Sequence, residues 1–257
     1  MFTRLTIVIV LGFLVAALVY VALAIRTTWV DAKIAALSFP PSRNYVDENK
    51  RLPAKGPRVR VVMIGDSLIS RWPAFQLNDQ VEIINRGLGG ETAAQLSRRF
   101  YSDAVSLEPD VILIGSGMND LVAATFLKGS ASRAVVSETA KTLLQLAQNG
   151  ASSGAHVLMA TIIPAGRPDL LRLPVWKASL LGAVAEVNNA LRSAALPERI
   201  TLIDFSAALA NRDDRFLPDE YRSDTLHLNE AGYDRLTNLL RTTLKTLLSA
   251  ELKGKEG

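Results

Sequence analysis

The stretch RVRVVMIGDSL, residues 58 to 68, decides the fold. From Arg58 to Ile64 it is nearly continuous in apolar, β-branched character, the pattern of a short strand buried on both faces. Gly65 then permits a tight turn, and a helical pattern opens at Ser67 and runs to Phe75. A buried strand feeding directly into a helix is the first half of a βαβ unit, and the chain repeats it. Val81 to Ile84, Asp110 to Ile114, Ala155 to Thr161 and Ile200 to Ile203 read as four more strands. Helical patterns follow them at Glu91 to Val105, Ala131 to Asn149 with Gly150 as its stop, Leu180 to Ala194, and Ala231 to Leu248. The alternation predicts an α/β fold, a five-stranded parallel sheet with helices on both faces and right-handed crossovers.

Upstream, LTIVIVLGFLVAALVYVALAI from Leu5 to Ile25 carries no charge and lies between Arg4 and Arg26. It is long enough to cross a bilayer as a helix, and a terminal helix apolar on every face does not suit a soluble core. Residues 1–26 are therefore expected to be an N-terminal transmembrane anchor. A cleavable signal peptide is the competing reading. Ala22-Leu23-Ala24 has the small-x-small form of a cleavage site, although the apolar run exceeds the usual h-region. Residues 27–57, with Pro40, Pro41, Pro53 and Pro57 and no sustained apolar period after Leu37, read as a basic, exposed stalk. The folded domain is expected over 58–250, with a polar tail at 251–257.

The 257 residues hold 29 Lys and Arg against 25 Asp and Glu, a formal charge of +4 with a pI near 9.4. Nine basic and three acidic residues fall within the first sixty, which leaves 20 basic and 22 acidic residues for the rest. The basic excess thus belongs to the anchor and stalk, and no nucleic-acid partner is expected of a slightly acidic domain. A hydrophobic content of 49% excludes a disordered chain. Arg4 alone on the amino side of the span, against Arg26, Lys33 and Arg43 beyond it, favours a cytoplasmic domain. The short basic leader, the possible cleavage site and the absence of Cys suit export, and the expectation adopted is an extracytoplasmic domain, periplasmic or extracellular.

In open α/β sheets ligands bind beyond the carboxyl ends of the strands, which directs attention to the residues just after each strand. These are Gly65-Asp66-Ser67, then Asn85-Arg86-Gly87-Leu88-Gly89-Gly90, then Gly115-Ser116-Gly117-Met118-Asn119-Asp120, with Asp224-Thr225-Leu226-His227 before the last helix. There are two histidines. His156 starts the fourth strand, at the far end of the sheet, and reads as structural. His227 follows Asp224 by three residues in a turn, so a carboxylate can hold Nδ1–H and leave Nε2 to take a proton. Ser67, at a strand-to-helix turn, completes a unit suited to nucleophilic acyl transfer, with the helix amino end favouring developing negative charge. Gly90 can offer an unobstructed backbone N–H, and Asn119 a side-chain amide, to an oxyanion.

Gly65-Asp66-Ser67-Leu68, Gly90, Gly117-x-Asn119-Asp120 and Asp224-x-x-His227 resemble the four blocks of the SGNH hydrolases, the GDSL esterase/lipase family, over roughly Arg58 to Leu248. The resemblance implies Ser67 as nucleophile, His227 as general base, Asp224 as its orienter, and Ser67, Gly90 and Asn119 as oxyanion donors. It also implies a flavodoxin-like three-layer sandwich. Asn85-x-Gly87-x-Gly89-Gly90-Glu91-Thr92 and Leu226-His227-Leu228-Asn229-x-x-Gly232-Tyr233 are most similar to the branch of platelet-activating-factor acetylhydrolase and carbohydrate O-acetylesterases. Gly90 is preferred to Gly89 as donor because it precedes the acidic-Thr pair.

Other chemistries lack their residues. No H-E-x-x-H or Cys/His cluster is present, and Gly87-x-Gly89 is not a dinucleotide fingerprint, so no metal and no cofactor are expected. Asp204 ends a strand without a nearby histidine and reads as structural, and Asp66 and Asp120 as loop-bracing carboxylates. The proline-rich segment PAGRPDLLRLPVWKASL, residues 164–180, is too long for a minimal βα loop and is placed to border a substrate pocket, with Arg167 and Trp176 available for contact. Lacking a long apolar lid, the domain is expected to hydrolyse a small, acetyl-type ester, such as one on cell-envelope carbohydrate. The alternatives are a lysophospholipase or thioesterase on the same scaffold, and a non-catalytic binding module.

Overall fold

The computed structural model describes residues 2–40, 43–170, 172–210 and 215–254. Helix α1 (Phe2–Ala35) is followed by a short α2 (Val46–Lys50), and the sheet then begins with β1 (Val59–Gly65), α3 (Ser67–Ser70) and β2 (Val81–Gly87). After α4 (Ala93–Asp103) come β3 (Val111–Gly115), α5 (Met118–Ala124) and α6 (Gly129–Ser152). The carboxyl half adds β4 (His156–Ala160), α7 (Ser179–Ser193), β5 (Ile200–Ile203), α8 (Phe205–Leu209) and α9 (Glu230–Gly254).

The five strands lie in the order β2-β1-β3-β4-β5, every pair parallel. This is a doubly wound order, in which winding reverses between β1 and β3 and opens a crevice at their carboxyl ends. Alternating strand residues feed two cores. Val62, Ile64, Ile112, Ile114, Val157 and Met159 pack with Leu96, Phe100, Leu121, Leu143 and Val184 on one face. Val61, Met63, Leu113, Leu158 and Ile203 pack with Ile69, Phe205, Leu236, Leu240 and Leu244 on the other. With 0–5% exposure across all of these, the strands are buried on both faces, as their unbroken apolar runs require.

Several element ends differ from expectation for local reasons. The helix expected to reach Phe75 stops at Ser70, because Pro73 disfavours helical geometry just before it. Gly150 does not stop α6, which continues to Ser152. Its missing side chain serves packing instead, since a Cβ there would lie 2.9 Å from Val157 Cγ2 and 3.2 Å from Ile112 Cδ1. The tail expected from residue 251 continues α9 through Gly254, and residues 255–257 lie outside the described ones.

The largest correction concerns the stalk. Nothing between Arg26 and Ala35 breaks a helix, so α1 runs 34 residues, about 51 Å at 1.5 Å each, against a bilayer core of about 30 Å. Thr6–Ala35 is long and apolar enough to cross a membrane, and the most apolar stretch packs against nothing within the chain. The helix end and the residues after it are not a solvated tether. Arg26 Nε donates to Pro174 O at 2.8 Å, and the Trp29 ring meets Phe126 edge-on at 5.8 Å. Thr92 Oγ1 donates to Ala36 O, Arg98 Nη2 to Ser38 O, and Gln95 Nε2 to Phe39 O. Tyr45 Oη donates to Gly87 O at 2.7 Å. Pro41 lies outside the described residues.

Candidate active site

The carboxyl ends of β1, β2 and β3 meet where Gly65 stands opposite both Gly87 and Gly115. A Cβ on Gly65 would sit 1.9 Å from Gly115 O, so only glycine allows β1 and β3 to approach this closely. Asp66 leaves the strand with its N–H on Gly115 O at 3.1 Å, and its carboxylate caps α3 by accepting from Leu68 N at 2.9 Å. Ser67 is thereby fixed as the first residue of that helix, half-buried.

Before α9 the chain makes a tight turn, closed by antiparallel pairing of Arg222 with Leu228 and by Ser223 N donating to His227 O at 2.9 Å. Asp224 Oδ1 accepts from Leu226 N and His227 N at 2.7 and 3.0 Å, which locks its side chain within the turn. Its Oδ2 is 2.8 Å from His227 Nδ1, and His227 Nε2 is 3.1 Å from Ser67 Oγ. With the carboxylate on Nδ1, the imidazole carries its proton there and turns a lone pair toward the serine hydroxyl. Ser67, His227 and Asp224, separated by up to 160 residues, thus form one hydrogen-bonded line.

Electrostatics support a neutral imidazole beside an ionised carboxylate. Burial holds His227 below its ordinary value, against the opposing pull of Asp224 and with help from the charges of Arg71 and Arg172. Burial alone would raise Asp224, but the hydrogen bond from His227, the Leu226 N–H and the charges of His227 and Arg172 together hold it below the usual carboxylate range.

The loops after β2 and β3 are pinned to each other. Asn119 Nδ2 donates to Glu91 O at 3.0 Å, and the Asp120 carboxylate accepts from Ala93 N at 2.9 and 3.1 Å. Gly90 sits at φ +83°, a left-handed conformation that disfavours any side chain, directly before Glu91. Among the described residues, neither the Gly90 N–H nor the Ser67 N–H has a hydrogen-bond acceptor. Glu91 itself is buried against Arg99 at 2.6 Å, and Arg99 also reaches Asp103 at 3.2 Å and Arg86 O at 2.8 Å. Burial, chiefly, pushes Asp66 and Asp120 up to about 7.

A cavity of about 20 Å³ opens beside Ser67, walled by Gly115, Ser116, Met118, Ile162, Ile163 and Leu226. That is space for a group of one or two heavy atoms. A larger cavity, about 610 Å³, lies at the amino ends of β1 and β2 among Lys55, Val59, Val81 and Asp110, the end of the sheet away from Ser67.

Arg167 and Trp176 come together on one aromatic ring. Both side chains engage Phe216, the guanidinium 4.6 Å above its ring and the indole 6.1 Å from it. The cation that the same segment does deliver is Arg172, whose Nη2 lies 3.2 Å from Asp224 Oδ2. Lys33 of α1 also enters, with Nζ 2.8 Å from Asn119 Oδ1. Sequence reasoning passed over both, since a lysine in a basic stalk and an arginine in an aperiodic loop carry no local mark of their destination. His156 bonds Thr201 Oγ1 at 2.9 Å, remote from Ser67, and Asp204 is held by Arg192 at 2.8 Å and Thr161 at 2.8 Å, in keeping with structural roles.

A doubly wound α/β sheet with a serine, an imidazole and a carboxylate in line at its crevice is the arrangement of hydrolases of the serine type. Residues 63–235 match the GDSL-like Lipase/Acylhydrolase family, and the chain belongs to it. Its members are also called SGNH hydrolases. An acetylxylan esterase of Xylanibacter ruminicola is 24% identical over 222 residues, which cover 76% of this chain but 45% of that protein, so the chain spans less than half of its length. A GDSL-like lipase from Bacteroides thetaiotaomicron superposes with a TM-score of 0.67 at 21% identity, covering 79% of this chain and 96% of the other. An acetyl xylan esterase superposes with a TM-score of 0.57 at 20% identity, covering 72% and 99%. At these identities the likeness is one of fold.

Proposed function

We propose that this chain is a membrane-anchored serine esterase that removes a small, acetyl-type acyl group, with carbohydrate of the cell envelope as its substrate class and the catalytic domain on the extracytoplasmic side. The line Asp224, His227, Ser67, with a cavity of about 20 Å³ beside the hydroxyl, carries this reading. In the first half-reaction Ser67 Oγ attacks the ester carbonyl while its proton passes to His227 Nε2, and Asp224 holds the resulting imidazolium. The tetrahedral oxyanion is held by the N–H groups of Ser67 and Gly90 and by Asn119 Nδ2. Its collapse breaks the bond to the leaving alcohol, which takes the proton from His227. Water then attacks the acyl-serine through the same base, releasing the carboxylic acid and restoring Ser67.

The small cavity supports a short acyl group: an acetyl methyl fits among Met118, Ile162 and Leu226. The acetyl esterases among proteins of similar sequence and fold agree with this. A lysophospholipid is the second reading, favoured by the cations Lys33 and Arg172 close to the site and by the apolar length of α1.

The test uses the full chain in detergent micelles, with p-nitrophenyl acetate, octanoate and palmitate compared at equal concentration. Acetate is expected to be turned over fastest, and a preference for palmitate would overturn the small-acyl reading in favour of the second. A fluorophosphonate probe is expected to label the parent and not Ser67→Ala. An unlabelled parent would instead support a binding module.

A further inference from the structure

The carboxamide of Asn119, 7% exposed, is held by two partners that leave it one orientation. Lys33 Nζ donates to Oδ1 at 2.8 Å, and Nδ2 donates to Glu91 O at 3.0 Å. An ammonium has only donors and a carbonyl only acceptors, so neither contact survives a flip of the amide. One N–H of Nδ2 is spent on Glu91, and the other is left for a ligand. Without Lys33 the Oδ1 side is left without a partner, and the Glu91 bond alone holds the orientation.

The lysine is not a mobile surface group that happens to lie nearby. It stands on the last turns of α1, where Trp29 packs on Phe126 and the ammonium lies 5.7 Å from the Trp29 ring centroid. The chain just beyond is stitched to α4 through Ala36, Ser38 and Phe39. The charges facing it are the carboxyls of Asp66 and Asp120, which attract it, and Arg172, which repels it. Burial, the largest influence, lowers the affinity of Lys33 for its proton below the ordinary lysine value.

We propose that Lys33, supplied by the end of the membrane-type helix, is a positioning residue of the oxyanion hole, fixing the Asn119 carboxamide with Nδ2 toward the reacting carbonyl and placing a positive charge behind it. The proposal rests on the esterase reading of Ser67, His227 and Asp224. It makes α1 part of the catalytic apparatus, so a chain shortened to the α/β domain is a lesser enzyme.

The experiment measures kcat and KM for p-nitrophenyl acetate with the full chain in detergent micelles, Ser67→Ala being run first. Lys33→Met is expected to lower kcat about 10- to 100-fold while KM stays within about threefold, the pattern of a lost transition-state interaction. In the Asn119→Ala background the same substitution should change kcat by less than about threefold, because two residues acting through one contact are not additive. A structural role alone would give the same loss in both backgrounds. Should Lys33→Met not accumulate as folded protein by circular dichroism, the pH profile carries the test. The parent kcat should fall on an alkaline limb centred below 10.5, as the ammonium deprotonates, and Lys33→Arg should lack that limb because a guanidinium keeps its charge. Unchanged kcat in Lys33→Met, equal losses in the two backgrounds, or a limb that survives Lys33→Arg would overturn the proposal. An active Ser67→Ala would instead overturn the esterase reading on which it rests.

Discussion

Replacing Asp224 by Asn isolates what the carboxylate does for His227, because the turn should survive the change. The Asn Oδ1 can still accept from Leu226 N and His227 N, the two bonds that lock the turn at 2.7 and 3.0 Å. At the other atom an acceptor becomes a donor. The amide N–H then faces His227 Nδ1, favouring the tautomer with its proton on Nε2, the nitrogen 3.1 Å from Ser67 Oγ that should receive one. It also faces the Arg172 guanidinium, another donor, at the 3.2 Å position of the lost ion pair. Reversing a hydrogen bond to a charged group costs about 2 kcal/mol. Losing the carboxylate's hold on the imidazolium costs about 4 kcal/mol for charges about 4 Å apart at an effective dielectric of about 20, or about 3 kcal/mol once partial exposure is allowed for. Together these are about 5 kcal/mol, roughly three to four decades in kcat at about 1.4 kcal/mol per decade. Steady-state hydrolysis of p-nitrophenyl acetate by the full chain in micelles measures this, with KM expected to stay within about threefold. A folded Asp224→Asn variant that loses less than tenfold in kcat would refute the reasoning about the tautomer.

Asn119→Ala removes one oxyanion donor and should lower kcat on the order of a hundredfold or more, and an unchanged kcat would place the hole elsewhere. The acid limb of kcat/KM should be centred below 6.5, since burial and the nearby guanidinium groups of Arg71 and Arg172 disfavour the charged imidazole, and Arg172→Gln should move it upward. Arg99→Met leaves Glu91 and Asp103 buried without their common partner, and should cost about 3–5 kcal/mol of stability, read as a Tm lowered by roughly 6–20 °C. The Asp120 carboxyl, raised to about 7 in the fold from 3.8, binds its proton more tightly folded than unfolded, so its contribution to stability is present in acid and is lost as pH rises through 7. Asp120→Asn, which keeps an acceptor for Ala93 N, should therefore show a smaller decline in Tm between pH 5 and 8 than the parent.

The strands and the candidate site were legible because each is written locally. Val59, Val61, Val62, Met63 and Ile64 are apolar on both parities, which is what a strand between two helical layers needs, and all five strands were found within a few residues of their ends. Ser67, Gly90, Asn119, Asp224 and His227 follow from their places at strand ends and in one turn. The path of the chain from Arg26 to Pro57 was not legible. Its composition is that of an exposed linker, and what holds it are contacts such as Arg26 to Pro174 and Tyr45 to Gly87, made with residues far along the chain. Residues 164–180 were legible as a segment but not residue by residue. A segment without helical or strand period does not announce which of its side chains turns inward, and Arg172 rather than Arg167 reaches Asp224.

If α1 sits in a bilayer, its docked end sets how far the domain can reach. A flexible linker of some thirty residues would let a tethered domain wander about 30 Å from its attachment, sampling substrate throughout that volume. With Arg26, Trp29, Lys33, Ala36 and Phe39 all fastened to the domain, there is no such leash. Seated in a bilayer, the molecule would resemble a tool on a fixed mast, its serine held at one height and one tilt above the surface. Encounter with substrate then becomes a two-dimensional search within a thin layer, in which lateral diffusion of the protein, rather than the swing of an arm, brings esters to the site.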